Sequence, residues 1–401
     1  MWTMNMISKH WQTGIGLALA ALLAACVTTG PTENNDAQAL DKAVQVAVDS
    51  LAAQTQKLPA FLAKVDASLN RRPVLIDPAL DASTGQQTAL TRQLDQRVAE
   101  RLRGQHPQFD VLPFETASLP KAQYLITGTI TRTGGAKSPF QIHLALTDLK
   151  SRNVVAQASS RARDEGFDTQ PTPFYRDSPV LIKDSAVTGY VATSRGVPGQ
   201  PADKNYLDRV AAAVMIQEAT TLYNSERYEQ ALGAYRNVLA TPAGEQMRTL
   251  NGIYLASWKL GRNADAENAF GRLVALGLGG NNLGVKFLFN PGTTDFWSDA
   301  KVSGPYPLWL RQIARQAAAA KVCMTVVGHT SKTGSEPLND RLSAQRAAFI
   351  QRKLEQESAE LSGRMKSSGM GFKETLIGTG TDDASDALDR RVEFKVSGCG
   401  A

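Results

Sequence analysis

Cysteine and histidine are scarce in this chain, which has three cysteines and four histidines among 401 residues. Three cysteines are too few for a disulfide-dense scaffold or a cysteine-rich zinc module. Four histidines leave little room for a metal site built from imidazole side chains. The sequence also lacks the G-x-S-x-G, H-E-x-x-H, Walker A and paired C-x-x-C motifs. It therefore predicts a protein that is not an enzyme and that has neither a metal nor another cofactor.

A strong excess of one charge is missing as well. The chain has 44 lysines and arginines against 38 aspartates and glutamates, which gives a formal net charge of +6. So small an excess fits either an anionic partner or ordinary solubility, and we expect no nucleic-acid partner. With 42% hydrophobic and 20% charged residues, the composition is that of a globular protein. At about 150 residues per domain, the length predicts two or three domains.

No apolar run is long enough to span a membrane as a helix. Residues 14–25 (GIGLALAALLAA) form a run of 12, whereas a transmembrane helix needs about 20 residues. This run has the length of the hydrophobic part of a signal peptide. It ends in Leu-Ala-Ala-Cys and resembles a bacterial lipoprotein lipobox, which implies removal of residues 1–25 and lipidation of Cys26. The alternative is an ordinary secretory signal that ends near a cysteine.

Lipidation implies that the protein is anchored to a membrane rather than spanning it. Val27 follows the cysteine, where an aspartate would retain a lipoprotein in the inner membrane. The resemblance thus implies the outer membrane, with the chain on its periplasmic face. Residues 26–69 are predicted to form a polar tether and then an amphipathic helix that docks on the next domain, with Asp36 as N-cap and Pro59 near its end. Its apolar positions are Leu40, Val44, Ala47, Leu51 and Leu58.

Residues 70–165 have the pattern of a compact α/β domain with the order β-α-β-β-β-β. Ser83 or Thr84 is the expected N-cap of its helix, whose inner face would carry Leu90, Leu94, Val98 and Leu102. The segments RPVLIDPALD, AQYLITGTIT and IHLALTDLKSRNVVAQA resemble the LpoB-type lipoprotein activators of peptidoglycan synthases. That resemblance implies that this domain docks on a synthase.

Residues 166–204 contain five prolines together with several glycines and serines. This composition predicts an extended linker with one short strand at 180–182. The run GLGGNNLG at 277–284 predicts a second flexible boundary further along the chain.

Residues 205–280 contain the same helical pattern twice. Ala231 and Ala266 are 35 positions apart, and so are Tyr235 and Phe270. The period and the small-x-x-x-aromatic spacing resemble tetratricopeptide repeats. A plain pair of helical hairpins with coincident spacing is the alternative. Because two repeats are fewer than a free-standing stack needs, we expect them to lean on a neighbouring domain.

Residues 283–401 carry the most specific pattern. A strand is expected at 285–290, a helix at 307–320, a strand at 322–327 and a long helix that ends near residue 358. The motifs GHT, N-D-R-L-S-A-Q-R-A, G-T-G and RRVEF follow in order. In combination they resemble the OmpA-like peptidoglycan-binding domain, which implies a βαβαβ sandwich that binds the peptidoglycan stem peptide.

The resemblance assigns the binding residues. Arg346 would grip a carboxylate of the stem peptide through its planar guanidinium. Ser331 stands where the family has an acid that meets an ammonium. Either the domain still binds the stem peptide, more weakly or with a preference for a peptide modified on its amine, or it has become a structural or protein-binding module. We expect retained binding, because Arg346, Thr330, Asn339 and Leu342 match the family pattern. Two further positions depart from it: Asn290 stands where some members have an acid, and Asp389 stands where the family has an asparagine. The remaining candidate site residues are Thr330, Asn339, Leu342, Asn290 and Arg391.

The two cysteines beyond the lipidation site are predicted to form a disulfide. Cys323 begins one expected strand and Cys399 follows the last one. The two residues meet if these strands are antiparallel neighbours, and a periplasmic setting permits the bond. Two free thiols are the alternative.

Together these patterns predict a multidomain α/β protein: an N-terminal α/β sheet domain, α-helical repeat hairpins and an OmpA-like domain. We expect a non-catalytic outer-membrane lipoprotein that binds peptidoglycan, ties the membrane to the wall and scaffolds a periplasmic protein partner through its repeats or N-terminal domain. The alternative is an activator of a peptidoglycan synthase. A wall-remodelling enzyme is disfavoured, because the S-x-x-K at 298–301 and the K-T-G at 332–334 are too close together for a transpeptidase.

Overall fold

The computed structural model describes residues 34–55, 71–135, 137–163, 166–380 and 385–399. The predicted signal segment, the lipidation site Cys26 and Pro59 lie outside these ranges. Of the helices within them, none is both long enough and apolar enough to cross a membrane. The described chain is a mixed α/β protein with two sheets and a helical region between them, as the sequence predicts.

The N-terminal sheet has six strands in the order β1-β6-β5-β4-β2-β3. Its strands are β1 (Asn34–Gln38), β2 (Arg72–Leu80), β3 (Phe109–Leu112), β4 (Tyr124–Arg132), β5 (Phe140–Asp148) and β6 (Val154–Ala162). β4, β5 and β6 form an antiparallel meander, whereas β2 is parallel to both β3 and β4. One face is covered by α1 (Leu40–Thr55) and α2 (Ala89–Gln105). The predicted order β-α-β-β-β-β is confirmed, with β1 added at the edge.

The starts of both N-terminal helices differ from the prediction. Asp36 does not cap α1, because it belongs to β1, which pairs in parallel with β6. Thr88 rather than Ser83 or Thr84 is the N-cap of α2, and its side chain accepts a hydrogen bond from the Thr91 amide. Ser83 and Thr84 are held in the preceding loop, because their amides donate to the carboxylate of Asp81.

The segment predicted to be an extended linker is folded. It contains α3 (Pro173–Asp177), α4 (Ser185–Ser194) and, at its end, α5 (Lys204–Leu207). Phe174, Val180 and Tyr190 are buried in it, and the Tyr190 hydroxyl accepts a hydrogen bond from the Gly128 amide of β4 at 2.9 Å. Several of its prolines sit at helix starts and turns, where proline is compatible with a folded chain. The expected strand at 180–182 is a single bridge between Val180 and Val285.

Four helices form two consecutive hairpins. They are α6 (Val210–Asn224), α7 (Tyr228–Leu239), α8 (Met247–Lys259) and α9 (Asn263–Gly279). Ala231 and Ala266 are fully buried, and Gly252 lies so close to the Tyr235 ring that an added Cβ would be 2.3 Å from its Cζ. Phe270 stacks on Trp309 with ring centroids 5.9 Å apart. The hairpins therefore share a core with the C-terminal domain, as expected.

The C-terminal sheet has four strands in the order β7-β10-β8-β9. Its elements are β7 (Leu283–Val285), α10 (Ala300–Ser303), α11 (Tyr306–Ala319), β8 (Cys323–Gly328), α12 (Glu336–Glu357), β9 (Met365–Gly369) and β10 (Val392–Ser397). The prediction of a strand at 285–290 is wrong, because β7 ends at residue 285 and the chain after it turns its buried Phe287 and Phe289 into an aromatic cluster around Tyr306.

Cys323 and Cys399 form the predicted disulfide. Strands β8 and β10 are antiparallel neighbours, and Ser397 pairs with Cys323. The two cysteines therefore meet at the end of this strand pair, which is the arrangement that the sequence argument required.

Candidate functional site

A groove of about 910 Å³ runs between the C-terminal domain and the helical hairpins. One side is formed by the loop after β8, the first turns of α12 and residues 288–309. The other side is formed by the end of α8 and by residues 176–179. Five of the seven predicted binding residues line it, namely Thr330, Ser331, Asn339, Leu342 and Arg346. The sequence motif and the cavity thus coincide.

Helix α12 is pressed against the strand ends, and this contact positions the site. A Cβ atom at Gly328 would lie 2.2 Å from the Ser343 carbonyl oxygen, and one at Gly369 would lie 2.3 Å from the Ala344 amide nitrogen. Only glycine allows the backbones to approach this closely. The close approach places the inner face of α12, which includes Leu342 and Arg346, beside the loop that follows β8.

Arg346 is a fixed cation at the groove. Its side chain is buried, with Nε donating to the Thr293 carbonyl at 3.0 Å and Nη2 donating to the Asn290 carbonyl at 3.2 Å. Its guanidinium carbon lies 4.8 Å from the centroid of the Phe289 ring. Backbone carbonyls and an aromatic face orient the guanidinium. The arrangement suits an anion that enters the groove.

The loop after β8 adds small polar groups. Thr330 is only 3% exposed, and its Oγ1 makes no hydrogen bond to any residue that the structure describes. The Ser331 hydroxyl lies 3.3 Å from Thr333 Oγ1. Asn339 shapes this loop, because its Nδ2 donates to the Thr333 carbonyl at 2.7 Å. A buried hydroxyl without a partner costs about 1–3 kcal/mol unless a ligand or water satisfies it.

Two predicted binding residues lie outside the groove. Asn290 uses its side-chain oxygen to accept the Ser298 amide and its carbonyl to hold Arg346, so it positions the arginine. Arg391 is buried within the domain, where it donates to Glu393 Oε1 at 2.7 Å. Arg390, the residue before it, lines the groove instead. Alternation along the chain at the start of β10 sends these two arginines to different sides.

Asp340 carries a carboxylate close in sequence to the site and could replace the acid that is missing at Ser331, but it does not line the groove. Its Oδ2 accepts a hydrogen bond from Lys373 Nζ at 2.8 Å. It follows Asn339 on α12 and therefore points to a different side of that helix. Among the described residues, no acidic side chain on this wall of the groove takes the place of the acid that the family has at the position of Ser331.

The groove is electropositive. Six cationic side chains line it among the described residues: Arg176, Lys259, Lys286, Lys301, Arg346 and Arg390. Asp177 is the one acidic side chain among the described residues that line the groove. It already contacts Lys259 at 3.0 Å and the Tyr223 hydroxyl at 2.9 Å. Although burial raises the pKa of Asp177, these hydrogen bonds lower it below its usual value. Such a balance favours an anionic ligand.

Lys286 is the most deeply buried lysine of these cations. It is 9% exposed, and its Nζ donates to the Arg176 carbonyl at 2.9 Å. Burial lowers its pKa to about 8, with a weaker opposing effect from Asp177. Sequence reasoning missed this residue, because a single lysine in an apolar stretch gives no sign of where its side chain ends.

Aromatic side chains form much of the remaining lining. Tyr254 and Trp258 stack at 6.4 Å between centroids, and Trp309 Nε1 donates to the Tyr254 hydroxyl at 2.7 Å. Trp297 is 38% exposed and Leu338 is 49% exposed, which makes them two of the three most exposed large hydrophobic residues among those described. The groove therefore combines apolar walls with a few oriented polar groups, as ligand sites usually do.

Comparisons with known proteins agree with the motif. Residues 289–388 match the model of the OmpA family. The part of the chain that is similar to this family is called the OmpA family domain. Three solved structures are similar to part of the chain. The peptidoglycan-associated lipoprotein from Burkholderia pseudomallei is 22% identical, with 28% of this chain and 89% of that one covered and a TM-score of 0.24. The periplasmic domain of MotB from Helicobacter pylori is 19% identical (29% and 76% covered, TM-score 0.25), and the cell wall anchor of the T6SS from Pseudomonas aeruginosa is 22% identical (29% and 80% covered, TM-score 0.24). No curated protein matches the chain.

His329 of the OmpA family domain lies in a charged cluster behind the groove. It is buried, with Nε2 3.6 Å from Glu393 and Nδ1 4.0 Å from Glu374. These three residues are close enough to hold a metal ion. Arg391 and Lys395 pair with the same carboxylates, however, and supply the positive charge that a metal would bring. Although burial raises the pKa of Glu393, His329 and Arg391 hold it far below its usual value. We therefore interpret the cluster as structural.

Proposed function

We propose that this protein is a non-catalytic outer-membrane lipoprotein that binds peptidoglycan through its OmpA family domain. The observation that carries the proposal is the fixed, buried guanidinium of Arg346 at the base of an electropositive groove. A carboxylate of the stem peptide would accept hydrogen bonds from this guanidinium and from the neighbouring Thr330 hydroxyl. Lipidation at Cys26 would hold the chain at the membrane, so that wall binding ties the two layers together.

The protein would also scaffold a periplasmic partner through the helical hairpins or the N-terminal domain. The similarity of 205–280 to tetratricopeptide repeats and of 70–165 to synthase activators supports this part of the proposal from sequence alone. A pull-down of periplasmic proteins with the chain, compared with the same chain carrying charge changes on α7, is the direct test of such a partner.

Replacement of Arg346 tests wall binding. With Arg346→Ala, we expect retention on purified peptidoglycan to be lost, because the ligand carboxylate would have no cation fixed opposite it. Arg352→Ala, on the same helix and outside the groove lining, should leave retention unchanged. Retention of the Arg346→Ala chain at the wild-type level would refute this residue as the anchor.

Thr330 offers a second test that separates binding from stability. Thr330→Val keeps the shape and removes a hydroxyl that has no hydrogen-bond partner among the described residues. We expect weaker wall binding by about fivefold with unchanged or slightly higher thermal stability. Thr325→Val on β8 should leave binding unchanged.

Ser331→Asp tests how the site treats the ligand's amine. A carboxylate at this position would attract an ammonium, so tighter binding in the variant would mean that the natural site is weakened for a free amine. Weaker binding in the variant would indicate a ligand whose amine is modified, because the new charge would then meet only carboxylates.

A further inference from the structure

The groove extends beyond the OmpA family domain. Its second wall comes from the end of α8, from residues 176–179 at the end of α3 and just after it, and from Lys286 beside them. All of these lie outside residues 289–388. The side chains of this wall that bear on its chemistry are Arg176, Asp177, Tyr254, Trp258, Lys259 and Lys286. They face the same cavity as Arg346 and Thr330, so a ligand held by the arginine lies against two parts of the chain.

The charge of the second wall is positive after internal pairing. Arg176, Lys259 and Lys286 contribute three cations against the single carboxylate of Asp177. Asp177 is engaged by Lys259, by Tyr223 and, at 3.2 Å, by Arg176. Lys286 Nζ is held by carbonyl oxygens rather than by a carboxylate. A ligand lying here would meet cations whose charge the wall itself only partly balances.

The wall also offers aromatic surface. Trp258 stacks beside Tyr254, and the partly exposed Trp297 lies across the same groove. Flat rings accept the apolar stem of an extended peptide, and the surrounding cations accept its carboxylates. A neutral sugar chain could accept hydrogen bonds from these cations but would lack the stronger charge-assisted bonds that a carboxylate forms.

We propose that the second wall binds the part of the stem peptide that extends beyond the Arg346 anchor, and that it selects for the free carboxylates of this part. The inference rests on the proposed function and adds a second contact region outside the OmpA family domain. It is supported by continuity of the cavity with the anchor, by charge complementarity and by the Thr330 hydroxyl of the facing wall, which has no hydrogen-bond partner among the described residues.

The distribution of tryptophan supplies the measurement. The chain has five tryptophans, and the three that lie beyond residue 25 are Trp258, Trp297 and Trp309. All three line the groove. In a chain without the predicted signal segment, intrinsic fluorescence therefore reports on this cavity alone. The probe is a set of soluble muropeptides released from purified peptidoglycan by a muramidase, used either unmodified or with their carboxylates converted to carboxamides.

Two variants of the second wall are decisive. Trp258→Ala and Lys259→Gln should each weaken binding of the unmodified muropeptides about fivefold to tenfold. Lys259→Gln should change binding of the amidated muropeptides less than twofold, because these have no carboxylate for Lys259 to bind. Trp258→Phe should retain most of the affinity, because it keeps an aromatic ring at this position. It therefore serves as the control that separates a lost contact from misfolding. Lys42→Gln on α1 and Val197→Ala, both exposed and outside the groove lining, are the matched controls.

The outcomes separate the two proposals. If Arg346→Ala abolishes binding while the Trp258 and Lys259 variants bind like wild type, the second wall has no role and the proposed function stands. If Lys259→Gln weakens unmodified and amidated ligands equally, selection for carboxylates is refuted. If the wild-type chain neither binds muropeptides nor is retained on peptidoglycan, the proposed function fails and this inference fails with it.

Discussion

The two sheets of this protein treat buried charge in opposite ways. In the N-terminal sheet, Asp77 is buried and accepts a hydrogen bond from the Tyr206 hydroxyl at 2.5 Å, and burial raises its pKa to about 6. In the C-terminal sheet, the carboxylate of Glu393 faces Arg391 and stays ionised. In the first arrangement, the hydrogen bond between Asp77 of β2 and Tyr206 of α5 joins two segments that are distant in sequence. In the second, paired charges lie behind a groove that more cationic than acidic side chains line among the described residues.

The C-terminal sheet also has a covalent link that the described part of the N-terminal sheet does not contain. The Cys323–Cys399 disulfide closes a loop with a sequence separation of 76. This difference predicts that reducing conditions act on one sheet and spare the other.

The largest effect is expected from removing this disulfide. In the Cys323→Ser, Cys399→Ser double variant, the free energy of unfolding should fall by about 4 kcal/mol, because the unfolded chain regains loop entropy. The loss should appear as a lower unfolding midpoint of the fluorescence signal, since all tryptophans beyond residue 25 lie in the groove. Reduction by dithiothreitol should leave the double variant unaffected. Two thiols titrated in the denatured, unreduced wild type would contradict the bond.

The next largest effect separates the two arginines of the C-terminal domain. Arg391→Ala should destabilise the protein by about 3 kcal/mol, because Glu393 would lose its closest ion-pair partner in a largely buried place and keep only the more distant His329 and Lys395. Arg346→Ala should cost less stability, about 1–2 kcal/mol, because its partners are backbone carbonyls that water can reach through the groove. Urea unfolding of both variants gives the comparison. A larger loss for Arg346→Ala would show that this residue is mainly structural.

Local patterns predicted much of this structure, and tertiary contacts account for the differences. The β-α-β-β-β-β order followed from alternation of apolar residues, and the Cys323–Cys399 bond followed from strand ends. The segment at 166–204 failed as a linker, because Phe174 and Tyr190 are single aromatic residues among prolines whose partners lie far away in sequence. The local motif identified Arg346 from sequence. Lys286 and the second wall could not be identified in this way, because they depend on tertiary contacts that bring α8 and α3 next to the C-terminal domain.

A smaller, pH-dependent effect tests the N-terminal side of the comparison. The pKa of Asp77 is about 6 in the folded protein and near 3.8 without burial. Between these values the folded state binds more protons than the unfolded state, so the free energy of unfolding should fall as pH rises from about 4 to 6. Asp77→Asn should remove part of that slope, on the order of 1–2 kcal/mol, and Asp95 should account for what remains. Denaturation curves at pH 4 and pH 6.5 measure it; an identical slope in the variant would contradict the assignment.

The smallest effect tests the exception on the C-terminal side, where Lys286 is a buried cation without a carboxylate in hydrogen-bond contact. Its pKa is about 8 in the folded protein against 10.5 for an ordinary lysine. Between these values the unfolded state holds more protons, so the free energy of unfolding should rise with pH, by about 1 kcal/mol. Lys286→Met should flatten this rise, whereas Lys301→Met, an exposed cation of the same groove, should not. An anionic ligand beside Lys286 would supply the missing counter-charge and raise its pKa, so saturation with unmodified muropeptides should move the rise to higher pH. A rise that stays in place with ligand bound would separate Lys286 from the ligand and restrict the second wall to Lys259 and Arg176.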